Sequence, residues 1–232
     1  MIKIFGPTNR NDRMSRDDYA PYYTQQQTGI ARQIPGLRKY LANVCLRAAN
    51  GGEPAWDSVA EMYWESVESA AHDFTTEQWN AARADHLNGI SGRFMWAAEE
   101  TEFLPEQRNT VPDGAIRYLA FLNRKDQMSR EDFKTYWFEK HVPLALRTPG
   151  LRRYRASVSC GSFNGDSPDR GAVDPAPFDG AVEMWFDGID AFDSSFSDPF
   201  WDKLRVDYYT GFAMGRMQVL IRDNVVFDST AE

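Results

Sequence analysis

His141 is the side chain best suited to acid/base chemistry here, because imidazole titrates near neutrality and can take or give a proton unaided. It stands out because the sequence is written twice. RNDRMSRDDYAPYYTQQQTGIARQIPGLRKY, from Arg10, reappears from Arg124 as RKDQMSREDFKTYWFEKHVPLALRTPGLRRY at a constant offset of 114, with 17 identities over residues 1–45. Gln27 stands in the first copy where His141 stands in the second. A residue that one copy dispenses with is not demanded by the fold, so a catalytic role is favoured over that of a hydrogen-bonded core histidine.

Further candidates gather in the second copy. Glu183 and Tyr154 are the other two residues that could act catalytically, although Glu183 is matched by Glu61 and so also suits a structural ion pair. Trp137, Tyr136, Phe133 and Trp185 supply rings for a planar aromatic ligand, against the bland alternative that rings at helix or strand spacing are core. Arg124 follows a strand end and could anchor a carboxylate or phenolate, but Arg10 matches it and a structural role is the stronger reading. A single working pocket per chain is expected, lined by Trp137, His141, Tyr154, Glu183 and Trp185.

The elements that must position these residues follow the same order in each copy. Residues 116–123 form an apolar strand, after which Ser129 caps a helix with Glu131 and Asp132 in its first turn. Phe133, Trp137 and His141 recur every four residues and share one face. Pro143 should end or kink that helix near His141. Strands are expected at 152–159 and 180–187, matched by 38–45 and 58–65, then a helix from Ser197-Asp198-Pro199 and a last strand at 217–222. In the first copy the second helix starts at the capping-box pattern Thr75-Thr76-Glu77-Gln78. From residue 57 the repeat offset becomes 122, which places eight extra residues in a Gly-, Pro- and Asp-rich loop at 161–178 of the second copy. Each copy reads β-α-β-β-α-β, the ferredoxin-like order, so the fold class is α+β.

Composition excludes several alternatives. A net charge of -8 with scattered arginines offers no surface for nucleic acid. No window approaches the roughly 20 apolar residues that span a bilayer, and the strand-like MIKIF start lacks a signal-peptide pattern, so no membrane association and a cytoplasmic location are expected. Cys45 and Cys160 read as small buried residues, and their spacing with three histidines supports no metal site. His72 and His86 are expected at the surface or rim. Phosphate-loop, dinucleotide-binding, HExxH and nucleophile-elbow patterns are all missing.

The string from Arg124 to Pro143 (basic pair, Met-Ser, acidic-Phe, Tyr-Trp, His-Val-Pro), with the later Glu-Met-Trp-Phe-Asp, resembles the EthD-like family of dimeric α+β barrel proteins. The resemblance is strong in residues 112–232 and degraded in 1–108, where Gln27 replaces the histidine. It implies that two tandem ferredoxin-like repeats make, inside one chain, the pseudo-dimeric barrel that family members make from two; two such chains could pair further. Relatives in the superfamily include decarboxylases, dehydratases, isomerases and cofactor-free monooxygenases, so the resemblance narrows fold more than reaction. The expectation is a cofactor-free lyase or isomerase of a small phenolic or polyketide-like compound, with His141 as its acid/base. A cofactor-free monooxygenase and a non-catalytic protein that binds aromatic ligands are the alternatives, and a haem-ligating His141 is a more distant one.

Overall fold

A computed structural model describes residues 1–104, 111–163 and 176–230. The expected linker at 105–114 and loop at 161–178 fall largely outside these. Strands β1 (Ile2–Arg10), β2 (Lys39–Ala48), β3 (Ser58–Trp64), β4 (Ile90–Arg93) and β5 (Met95–Glu102) belong to the first half, and β6 (Ile116–Arg124), β7 (Arg153–Phe163), β8 (Gly180–Phe186) and β9 (Ala213–Arg222) to the second. A short β10 (Val225–Asp228) pairs with β2.

Each half builds the same antiparallel sheet, β2-β3-β1-β5 and β7-β8-β6-β9. The halves then close on each other. Strand β5 pairs with β7 from Met95–Phe163 to Glu102–Arg155, and β2 pairs with β9 from Val44–Arg222 to Ala48–Val219. Closure leaves none of these eight strands as an edge of the barrel, which removes the aggregation hazard of two open sheets. The α+β fold and the ferredoxin-like repeat expected from the sequence are what is found.

The helices lie on the outer face. In the first half these are α1 (Arg16–Pro21), α2 (Gln27–Ala31), α3 (Val67–Asp73) and α4 (Glu77–Gly89); in the second, α5 (Arg130–Tyr136), α6 (Val142–Ala145), α7 (Ile189–Phe196) and α8 (Phe200–Asp207). Ser15 and Ser129 cap α1 and α5 through the backbone N–H of Asp18 and Asp132, as their positions in the repeat imply. The first helix of each half does not stop at its proline or glycine. It widens into a π turn, Tyr22–Gln26 or Trp137–His141, and resumes as α2 or α6. Val142 stays helical at φ -58°, ψ -48°, so the helical path continues past Pro143, which lies at the start of α6 and does not end the helix. Helices α3 and α7 were not evident from the sequence. No described helix is long and apolar enough to cross a membrane.

Because side chains alternate across a strand, each sheet face has its own core. Ile116, Tyr118, Ala120, Leu122, Tyr154, Ala156 and Met184 face the helices of the second half. Phe5, Val59, Trp96, Leu119, Phe121, Ala181 and Ile221 fill the barrel. Also inside the barrel, Lys3 and Arg117 occupy equivalent places and alternate with the equivalent Glu61 and Glu183. Lys3 Nζ lies 2.6 Å from Glu61 and 2.7 Å from Glu183, and Arg117 bonds both carboxylates. All four are buried. Burial alone would raise Glu61, but Arg117 and Lys3 outweigh it and hold its carboxyl down at about 2. At Glu183 burial prevails over the same two cations, and its carboxyl is raised.

Candidate functional site

The π turn Trp137–His141 aims His141 into the space between α8 and the sheet. The residue is buried, and its ring packs 4.9 Å from the Phe212 ring. His141 Nδ1 lies 2.7 Å from Asp207 Oδ2, at the last residue of α8. The other carboxylate oxygen, Oδ1, accepts the Tyr136 hydroxyl at 3.0 Å. Tyr136 reaches it by crossing Gly211 so closely that an added Cβ would lie 2.5 Å from the ring, which requires glycine there. A carboxylate held on one side by a tyrosine and presented to Nδ1 on the other fixes the imidazole's orientation and tautomer. Proton transfer to a ligand would then run through Nε2.

Beside the histidine is a cavity of about 30 Å³ lined by Tyr118, Trp137, Tyr154, Met184, Trp201 and Tyr208, among others. Trp137 Nε1 donates to the Tyr154 hydroxyl at 3.2 Å, and burial raises the phenol well above its ordinary value. Gly180 makes room for the indole: a Cβ there would lie 2.5 Å from the Trp137 ring. Of the expected site residues, the structure therefore brings His141, Trp137 and Tyr154 together around one cavity, with Tyr136 behind the histidine through Asp207.

The remaining expectations need correction. Glu183 and Trp185 do not line this pocket. Met184 between them faces His141, so strand alternation turns both into the barrel, where Glu183 pairs with Lys3 and Arg117 and the Trp185 indole donates to Asp223 at 2.8 Å. Phe133 is buried in the core and touches Phe212 rather than the cavity. Arg124 pairs with Asp179 at 3.2 Å, as Arg10 pairs with Asp57, so it closes the strand end instead of anchoring a ligand. Cys160 is exposed, unlike Cys45. The first half also keeps a helix–sheet cavity, of about 40 Å³, so a pocket is not confined to the second.

Asp207 is the residue beside His141 that sequence reasoning missed. Its sequence signal was the match of Tyr22 and Asp85 with Tyr136 and Asp207 between the copies; in the first half the tyrosine donates mainly to the Asp85 backbone carbonyl, at 2.7 Å. A residue shared by both copies was assigned to the fold, although in the second its carboxylate also meets the histidine. Among the described residues no group of His, Cys, Asp and Glu could hold a metal ion.

A closed barrel of two ferredoxin-like halves, helices outside, defines a dimeric α+β barrel protein made within one chain. Comparison with solved structures agrees. An anthrone oxidase-like protein matches over 99% of this chain and 95% of its own (TM-score 0.66, 8% identity), and a chlorite dismutase variant from Candidatus Nitrospira defluvii over 95% and 90% (TM-score 0.55, 10% identity). Residues 125–213, in the second half, match the EthD domain. An uncharacterized 11.0 kDa protein from the thcB-thcC intergenic region of Rhodococcus erythropolis is 28% identical over 82 residues, covering 34% of this chain and 79% of that protein.

Proposed function

We propose that the second half is a cofactor-free enzyme site in which His141, oriented by Asp207, exchanges a proton with a small phenolic or polyketide-like aromatic compound. The observation that carries this reading is the Tyr136–Asp207–His141 chain ending at an aromatic-walled cavity. Trp137, Tyr118, Tyr154 and Trp201 suit a planar conjugated ring, which can store the charge left when a proton is removed or a carboxylate departs. One positioned proton donor or acceptor then suffices for decarboxylation, dehydration or isomerisation, and the carboxylate behind the ring would stabilise the imidazolium that forms. Admission of a substrate requires the cavity to open, and the π turn that carries His141 is the type of irregular helix often found at functional sites.

A second reading, cofactor-free oxygenation of a phenolate, is favoured by the likeness to an anthrone oxidase-like structure. One experiment separates them. Phenolic acids and anthrones are screened for ultraviolet spectral change with a dissolved-oxygen electrode in the same cell. Turnover without oxygen uptake supports proton chemistry; turnover with stoichiometric oxygen uptake replaces it with oxygenation; binding without turnover leaves a ligand-binding protein.

A further inference from the structure

Resting on the aromatic-binding reading of the His141 site given above, we infer that the Tyr154 hydroxyl is the site's second working group, a hydrogen-bond donor for a carbonyl oxygen, and that the substrate is an aromatic ketone able to enolise. Tyr154 is fully buried and lines the cavity beside His141. Its oxygen accepts from Trp137 Nε1 at 3.2 Å, yet no described residue accepts its own proton. The other tyrosines around the histidine have theirs placed. Tyr118 donates to Gln218 Oε1 at 3.0 Å, Tyr136 to Asp207 Oδ1 at 3.0 Å, and Tyr208 to the Gly215 carbonyl. A buried O–H without an acceptor costs folding free energy that a phenylalanine of the same shape would not.

The repeat shows how that proton comes to lack a partner. In the first half the residue equivalent to Tyr154 is Tyr40, and the elements around it carry hydroxyls at Thr8, Tyr19, Tyr23 and Ser58. Thr8, Ser58 and Tyr19 are hydrogen-bonded to one another, at 2.5, 2.6 and 3.2 Å. In the second half the same four positions are Leu122, Phe133, Trp137 and Gly180, so each of those hydroxyls is gone while that of Tyr154 is kept. An indole nitrogen donates and cannot accept, so Trp137 occupies a lone pair of Tyr154 and leaves the O–H to point elsewhere. Gly180 gives the indole its room. A wall stripped of competing acceptors keeps one donor for a ligand.

Burial raises this phenol well above its ordinary value, so Tyr154 stays protonated and serves as a donor, not as a base. A carbonyl oxygen is the acceptor that it lacks. In an aromatic ketone the carbon next to the carbonyl carries the acidic C–H. His141 takes that proton, the C–H electron pair becomes the C=C bond of an enolate, and the C=O π pair moves to the oxygen, where the Tyr154 hydrogen bond strengthens as charge develops. Return of the proton from the imidazolium to the oxygen or to another carbon completes an isomerisation without any further reactant. A carboxylate would have to enter the same dry wall charged, with a neutral phenol to receive it, which favours the ketone.

The test uses 1-tetralone, an aryl ketone with exchangeable protons beside its carbonyl, and tetralin, which lacks the oxygen, on wild type, Tyr154→Phe and His141→Gln. Tetralone binding should weaken roughly 3- to 10-fold in Tyr154→Phe while tetralin binding is unchanged. The infrared carbonyl band of bound ¹³C-labelled tetralone should lie lower in wild type and His141→Gln than in Tyr154→Phe. Fluorotyrosine at position 154, a stronger donor of nearly the same shape, should lower it further, which decides the matter if the phenylalanine variant folds poorly. Deuterium exchange at the carbon beside the carbonyl reports the proton chemistry separately and should slow about 100-fold in Tyr154→Phe. A lowered band without exchange keeps Tyr154 as the donor and counts against His141 chemistry alone. A band unmoved by either change at position 154, equal losses for tetralone and tetralin, or no tetralone binding to the wild type would overturn the inference.

Discussion

Replacing Asp207 with asparagine keeps size and shape while removing the charge that orients His141. The introduced amide can still accept the Tyr136 hydroxyl through its oxygen, which leaves its nitrogen facing Nδ1. That nitrogen donates, so the proton must leave Nδ1 for Nε2. The aspartate–histidine bond is charge-assisted, but its partners are 24% and 11% exposed, so about 1 kcal/mol of stability is at stake rather than the fuller value of a dry pair. For a chain of this size that lowers Tm by roughly 2–4 °C. Catalysis should fall much further, by up to roughly 10⁴-fold, because the wrong nitrogen now carries the proton. The tautomer can be read directly from ¹⁵N-histidine NMR. The chain has only three histidines, and His141→Gln assigns the signal. Wild-type neutral His141 should show a protonated Nδ1 and a bare Nε2, with the pattern reversed in Asp207→Asn. Identical ring-nitrogen shifts in both proteins would refute the orienting role.

Other consequences follow from the barrel interior. Glu61→Gln should destabilise the chain by about 3–5 kcal/mol, since it removes one of the buried carboxylates that Lys3 and Arg117 share with Glu183, Glu100 and Asp223; urea melts decide, and a loss below about 1 kcal/mol would contradict a stabilising role for the pair. The depressed Glu61 contributes stability that is fully present above the unfolded value near 4.5 and lost as pH falls toward about 2, of order 3 kcal/mol, with Glu183 offsetting part of it; a stability curve flat from pH 5 to 2.5 would disprove it. Residues 1–108 and 112–232 expressed apart should be poorly folded, because each exposes the inner sheet face and splits the Lys3–Glu183 and Arg117–Glu61 pairs. Two cooperatively melting fragments would speak against that interdependence.

The barrel could be read from the repeat itself: the same β-α-β-β-α-β order twice, with matched serine caps and matched strand ends, leaves two half-covered sheets whose inner faces must meet. Helices α3 and α7 were hidden because they are short and follow directly on β3 and β8. The error over Glu183 and Trp185 has a definite origin. Every residue of β8 is buried, since one face meets helices and the other the barrel, so apolar content gives no sign of which way a side chain points. Only the period of two does, and it separates both residues from Met184. His141 was legible because the copies differ there; Asp207 was not, because they agree.

The most direct test compares wild type and His141→Gln on any phenolic compound that the wild type converts, with turnover and ligand affinity measured separately. Glutamine already occupies the equivalent position 27, so the variant should fold and bind normally. Its kcat should fall roughly 100- to 10,000-fold at nearly unchanged Kd, as for a positioned acid or base that acts in the transition state. A kcat within a few fold of wild type would contradict the account and remove His141 from the chemistry.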